Sequence, residues 1–308
     1  MATRFLPSLS YHALANDLEG VNFSSIRSGT LDERDRWSAE ARLRYYSSLY
    51  PVVEVDSSYY AMPSEENSRL WVERTPEGFT FNVKAFRLFT GHLTQTEVLP
   101  ADLCLQLGTN RRVYCKDVGD DIKDEMWERF AGALEPLRAA GSLGLIHFQL
   151  PPSVRLGRRL MQHVEECIRR LPGHPVSVEF GHKDWRQGPE RVADTLAWLR
   201  DIGAVHTVVD GPQEAVNSVP AVWEATHPEI ALVRLHGRNN IAYNMSMNSA
   251  AERFEYDYLD DELAELAGEA VRLAFKVKNT HIILNNCYED KGQRNALTFM
   301  RKLLEDAR

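Results

Sequence analysis

The stretch Ala231-Leu232-Val233-Arg234-Leu235-His236-Gly237-Arg238 decides the fold of this chain. It begins as an apolar β-strand and turns basic on every second residue as it ends. Side chains two apart on a strand share a face, so Arg234 and His236 point the same way. A buried strand carries such a pair only where it meets partners or a ligand.

The same design recurs along the chain. Val52-Val53-Glu54-Val55-Asp56 puts Glu54 and Asp56 on one face. In Phe79–Ala85, Thr80, Asn82 and Lys84 oppose Phe79, Phe81 and Val83. Leu143–Leu150 carries His147 and Gln149 on one side. Val176–Phe180 closes with Glu179, with His182 and Trp185 just beyond, and Gly203–Gly211 ends in Asp210. Phe5–Tyr11 is expected as a first strand weakened by Pro7, and His281–Asn286 as the last.

Helical spacing fills the intervals: Asp35–Leu49, Ser64–Arg74 with Ser64 as N-cap, Met126–Ala140 with Gly141 as the residue after the C-cap, Gly157–Leu171, Pro189–Ile202, Asp260–Val277 and Gly292–Leu304. The connection from Phe86 to Ile122 is too long for a turn and is expected to be a lid, an insertion or a small subdomain. Pro212–Pro228 holds at most a short helix around Ala221–Ala225, and Asn239–Tyr258 is a polar loop.

Alternating strands and helices imply a parallel sheet. Repeated about eight times, they favour a closed α/β barrel, a single (β/α)8 TIM barrel over residues 1–308 with a long insertion after the third strand. No Gly-x-Gly-x-x-Gly follows the first strand and no phosphate-binding Gly-x-x-x-x-Gly-Lys-Ser/Thr loop occurs, so the dinucleotide and triphosphate folds lack support.

With 308 residues, 44% of them hydrophobic, the chain can bury a large core, and its net charge of -8 argues against a nucleic-acid partner. No run is long enough to cross a membrane, and the first residues lack a signal-peptide core. Cys104, Cys115, Cys167 and Cys287 show neither CxxC nor zinc spacing. They are expected to be free thiols in a reducing, cytoplasmic setting.

Taken in order, these segments resemble the DUF72 (YecE-like) family of (β/α)8 barrels. The matching residues are Val53–Tyr60 with Pro63-Ser64, Trp71–Lys84, Gly91-His92, Phe148–Pro152, Val178–Phe180, Val233–Arg238, and Asn285-Asn286 with Asn295-Ala296. Val113-Tyr114-Cys115-Lys116-Asp117 resembles an insertion of the longer actinobacterial type. There are two departures. Ser8-Leu9-Ser10-Tyr11 stands where the family has Gly-Thr followed by Ser or Ala and Ser-Trp, and Gly181 stands where it usually has arginine, which removes a fixed cation and anion clamp. The resemblance implies a barrel with no agreed reaction. At the level of fold alone it also implies a distant likeness to metal-binding xylose-isomerase-like and endonuclease IV-like barrels.

In such a barrel the C-terminal strand ends and the loops after them form the active site. The expected function is that of an enzyme acting by acid–base chemistry on a small anionic or carbohydrate-like molecule, with no cofactor. Glu54 and Glu179 would exchange protons, Lys84 would stabilise negative charge and His236 would shuttle a proton. Asp56, Tyr60, Gln149, His182, Asp210, Arg234, Arg238 and Asn286 would bind the substrate. One alternative is a divalent-metal phosphodiesterase holding manganese, magnesium or zinc on Glu179, Asp210 and His236. Another is a non-catalytic binding protein in which the charges satisfy one another. Tyr59, Tyr60, Phe86, Phe89 and His92 form a candidate aromatic wall, and Asn239, Asn240, Tyr243 and Asn244 a candidate lid.

Overall fold

The computed structural model describes residues 38–108, 111–213, 218–241, 254–286 and 288–306, together with the backbone of 4–11. The strands are β1 (Arg4–Tyr11), β2 (Val52–Val55), β3 (Thr80–Lys84), β4 (Thr94–Gln95), β5 (Arg112–Val113), β6 (Leu143–Gln149), β7 (Val176–Glu179), β8 (Val205–Asp210), β9 (Ile230–Leu235) and β10 (Asn279–Leu284). The helices are α1 (Ala39–Leu49), α2 (Ser57–Tyr60), α3 (Glu65–Glu73), α4 (Ala101–Gln106), α5 (Asp120–Ala139), α6 (Arg158–Arg169), α7 (Pro189–Asp201), α8 (Asp260–Ala274) and α9 (Lys291–Asp306).

Strands β10, β9, β8, β7, β6, β3 and β2 pair in parallel in that order, flanked by helices. The backbone of β1 pairs with β10 on one side and β2 on the other, which closes the barrel. Strand parity sorts the core. Val53, Val55, Phe81, Val83, Ile146, Phe148, Val178, Val208, Val233 and Leu235 join the apolar body shared with the helices. Val52, Leu145, Val205, Ile230, Leu232 and Ile283 form a separate apolar cluster on the opposite parity, inside the barrel. Each such side chain contributes about 1.5–3 kcal/mol on burial. The same inward parity carries buried Glu54, Asn82, Lys84, His147, Ser177, Glu179, Thr207 and Arg234, so the polar layer lies on top of an apolar plug.

Gly144 marks a crowded point in that interior. A Cβ there would lie 2.4 Å from Asn82 Oδ1 and 2.7 Å from Thr80 Cγ2. Asn82 Oδ1 accepts from the Leu145 N–H at 2.9 Å and faces His281 Nδ1 at 2.9 Å, and the register of β3 against β6 shifts between Phe81 and Val83.

Local signals placed most helices. Ser38 and Ser64 accept from the N–H groups of Ala41 and Asn67 at 3.1 Å. Gly141, at φ 67°, follows the end of α5 as expected. One expectation needs correction. Helix α5 starts at Asp120 rather than Met126, because Asp120 and Asp121 place negative charge at its N-terminus. No helix forms at Ala221–Ala225. That backbone instead serves tertiary partners: Pro220 O accepts from Arg186 Nη1 at 3.3 Å, Val222 O meets His206 Nε2 at 2.9 Å and Ala225 O accepts from Arg200 at 3.4 Å.

The segment between β3 and α5 carries its own structure. Strand β4 pairs antiparallel with β5, and α4 lies between them in sequence. Leu99, Leu103, Val113 and Val118 are buried in the main apolar body, Phe89 stacks on Trp127 at 3.7 Å, and Arg129 of α5 binds Asp102 of α4.

Candidate functional site

Arg234 is the hub of the polar layer. It has no solvent exposure, and its guanidinium spans the lumen: Nη1 donates to Glu179 Oε2 at 2.7 Å and Nη2 to Glu54 Oε1 at 2.7 Å. These strands are not neighbours, so only barrel closure brings the three side chains together. Glu179 is enclosed further. Its Oε1 accepts from Gln149 Nε2 at 2.7 Å and lies 3.4 Å from His236 Nε2, while His147 Nε2 lies 3.4 Å from Oε2. Burial opposes the charge on Glu179, but Arg234 and the surrounding donors outweigh it and hold the carboxyl well below its usual range.

Above this layer is a cavity of about 260 Å³ at the C-terminal strand ends. Lys84, Gln149, Glu179 and His236 supply its polar lining from four strand ends, and Tyr59, Tyr60, Phe180 and Phe254 its rings. His92, Ser218, Val219 and the Leu150–Pro152 turn complete much of the wall. Lys84 Nζ lies 2.6 Å from Asp56 Oδ1 and 4.9 Å from the centroid of the Tyr59 ring. Lys84 is held from behind as well, since Ser58 Oγ donates to its carbonyl at 2.7 Å.

His236 is fixed in one tautomer. Asn285 Nδ2 donates to its Nδ1 at 2.8 Å, which leaves the hydrogen on Nε2, the nitrogen that faces the Glu179 carboxylate. Burial pushes the imidazole below its ordinary value against the pull of Glu179, so it is a neutral donor near pH 7. Its ring lies against Phe254 with centroids 5.1 Å apart.

Of the twelve residues singled out in the sequence, Lys84, Glu179, His236, Tyr60 and Gln149 line the cavity. Glu54, Asp56 and Arg234 lie beneath it as their charge partners. The remaining four are engaged elsewhere. Asp210 accepts from Arg238 Nη2 at 2.9 Å and from Tyr258 Oη at 2.7 Å. Asn286 donates to Tyr256 O at 3.0 Å and Asn295 Oδ1 at 2.7 Å, tying the 256–258 segment to α9. His182 accepts from the Asp184 N–H at 3.1 Å and caps the turn at 183–185. Tyr243 and Asn244 lie outside the described residues, as does Cys287; Cys104, Cys115 and Cys167 are free thiols.

A divalent ion on Glu179, Asp210 and His236 does not fit this arrangement. Arg234 and Arg238 already occupy the two carboxylates, and among the described residues no three His, Cys, Asp or Glu side chains converge as a ligand set.

His92, expected with Tyr59 and Tyr60 in an aromatic wall, enters the cavity wall from the segment after β3. Two contributors were harder to find: Asn285 sets the His236 tautomer, and Arg186 pins the wall from behind. Arg186 is buried: it donates to Thr207 O at 3.0 Å, to Pro220 O and to His206 Nδ1 at 2.8 Å. Burial brings it down to about 9. It thereby fixes the loop that carries Ser218 and Val219. Asn285 was visible only as half of the Asn285-Asn286 pair at the end of the last strand, with no role attached, and nothing local marked Arg186.

The family profile described as "Protein of unknown function DUF72" matches residues 33–308. The UPF0759 protein YunF of Bacillus subtilis (strain 168) is 30% identical over 252 residues, covering 81% of this chain and 82% of that protein. Crystal structures of two DUF72 proteins share the fold. EF0366 of Enterococcus faecalis V583 superimposes with a TM-score of 0.73 at 21% identity, over 98% of both chains. TM1631 of Thermotoga maritima MSB8 does so with a TM-score of 0.70 at 25% identity, over 98% of this chain and 99% of that one. Among the described residues no helix is long and apolar enough to cross a membrane.

Proposed function

The chain belongs to the DUF72 family, and from that premise we propose that it is an enzyme acting on a small polar molecule, anionic or carbohydrate-like, by acid–base chemistry in the cavity at the C-terminal strand ends. The observation that carries this reading is the convergence of Lys84, Glu179 and His236 on one small cavity while their counter-charges stay beneath it.

In this reading Lys84 and the Nε2–H of neutral His236 stabilise negative charge developing on a ligand oxygen. Glu179 is the carboxylate that takes up a proton. Arg234 lowers its basicity, so the proton it accepts is one that Lys84 and His236 have already made more acidic. Glu54 does not line the cavity, and its part is to share the charge of Arg234 with Glu179.

The test is untargeted. Purified protein is incubated with a metabolite extract in the presence of a chelator, and consumption is followed by mass spectrometry. The expected result is loss of one small polar metabolite, at least 100-fold slower with Lys84→Met and with His236→Gln. A metabolite that is retained by both the wild type and the variants and never consumed would identify a binding protein instead.

A further inference from the structure

Resting on that reading of the cavity, we infer that its ligand is a neutral polyhydroxy compound of the sugar or sugar-alcohol class, and that His92 is the residue that accepts a hydrogen bond from one of its hydroxyls. The polar atoms at the cavity differ in whether they can donate or accept.

His92 Nδ1 lies 2.8 Å from Thr90 Oγ1, and that hydroxyl lies 3.0 Å from the carbonyl of Arg87. A carbonyl only accepts, so the single hydroxyl hydrogen goes to Arg87 O. Both contacts are hydrogen bonds only if His92 Nδ1 carries the ring hydrogen. Its Nε2 is then a bare lone pair with no partner among the described residues, on a ring that lines the cavity. Burial, followed by Arg87 and Lys84, lowers His92 to about 4, so it stays neutral.

Gln149 behaves alike. Its amide nitrogen is committed to Glu179 Oε1, which turns its carbonyl oxygen into a second uncharged acceptor. Two neutral acceptors require a ligand that donates. A phosphate or carboxylate at neutral pH has few hydrogens to offer and gains no unpaired cation here, because Lys84 is paired with Asp56 and Arg234 with Glu179 and Glu54. A cationic amine offers hydrogens but meets Lys84 Nζ. A hydroxyl donates to His92 or Gln149 and accepts from Lys84, and the rings of Tyr59, Tyr60, Phe180 and Phe254 suit the apolar faces of a sugar ring.

The test is titration calorimetry with D-xylose, D-glucose and D-mannitol against D-glucose 6-phosphate and D-glucuronate. At least one neutral compound is expected to bind at least tenfold more tightly than either anion. His92→Leu is expected to weaken that binding at least tenfold, and His92→Gln, which keeps an acceptor, to retain it within threefold. An anion that binds more tightly than the neutral compounds would overturn the assignment and leave the enzymatic reading standing. Undiminished neutral binding in His92→Leu would overturn the role of His92. Absence of binding by every probe would overturn the assignment, while the metabolite-consumption experiment decides the enzymatic reading independently.

Discussion

Arg234 meets Glu179 at 2.7 Å, with Arg234 fully buried and Glu179 nearly so. Desolvating two charges is costly, and their attraction offsets that cost only when the remaining polar atoms are also satisfied. Here the second arm of Arg234 binds Glu54 and Gln149 binds Glu179, which satisfies the network in part: Arg234 Nε and Glu54 Oε2 have no hydrogen-bond partner among the described residues. Arg234→Met should therefore leave two carboxylates buried without their cation and cost roughly 3–5 kcal/mol. Urea unfolding is the measurement. The triple variant Arg234→Met, Glu54→Gln, Glu179→Gln should recover part of the loss, and a single variant as stable as wild type would contradict the arrangement.

Acid should destabilise the fold before the bulk of the carboxylates titrate. His147, His206 and His236 are all lowered by burial, and His281 falls to about 4. In the unfolded chain imidazoles titrate near 6.5, so below that pH the unfolded state binds protons that the folded state refuses. The contribution of these groups is complete above about 6.5 and is lost as pH falls toward about 4, roughly 3 kcal/mol for His281. Glu179, held low, adds a loss of the same sign further down. Urea midpoints should fall steadily from pH 7.5 to 5, whereas a flat profile would show that these histidines are not buried and neutral.

Gly181 should not tolerate a side chain. A Cβ there would lie 2.4 Å from Leu150 O and 2.8 Å from Pro151 C and Pro152 N, all backbone atoms that cannot rotate away. Gly181→Ala should cost about 1–3 kcal/mol in thermal or urea unfolding. Gly181→Arg, which restores the residue usual in the family, should be worse rather than better. An unchanged midpoint for either would mean that the Leu150–Pro152 turn moves easily.

Tyr258→Phe should separate structure from ligand binding. The Tyr258 hydroxyl donates to Asp210 at 2.7 Å and accepts from the Gly237 N–H at 2.8 Å, outside the cavity lining. Removing it strands a buried donor and should cost roughly 1–3 kcal/mol. Affinity for any ligand of the strand-end cavity should stay within twofold of wild type by calorimetry.

Nitrogen-15 spectra of the histidine rings test the bonding pattern directly. His236 should be the Nε2–H tautomer because Asn285 donates to its Nδ1. His281 should be the Nδ1–H tautomer, since the Leu145 N–H compels Asn82 to present its oxygen. Reversal of either assignment would require the neighbouring amide to be turned around.

Much of this molecule is written in local pattern. Alternation on the strands needs only a buried face and an opposite one, so it placed Glu54, Lys84, Gln149, Glu179, Arg234 and His236 on the inward parity before any contact was known. Caps such as Ser64 and Gly141 are likewise local, because each satisfies groups within a few residues. That information is sufficient for a parallel barrel and for the end of it that matters.

Partner choice is not local. Glu54 and Arg234 are 180 residues apart in sequence, and barrel closure alone makes Glu54 a counter-ion beneath the cavity instead of part of its wall. Asp210 has the parity of Val208 in the outer body, and its place at a strand end could not foresee Tyr258 and Arg238 closing over it. A carboxylate on a strand end is a sequence property. Whether it meets a ligand, an arginine or a tyrosine depends on loops and strands far along the chain, and for Arg234-Leu235-His236 those distant neighbours turned an unexplained basic face into the floor and one wall of the cavity.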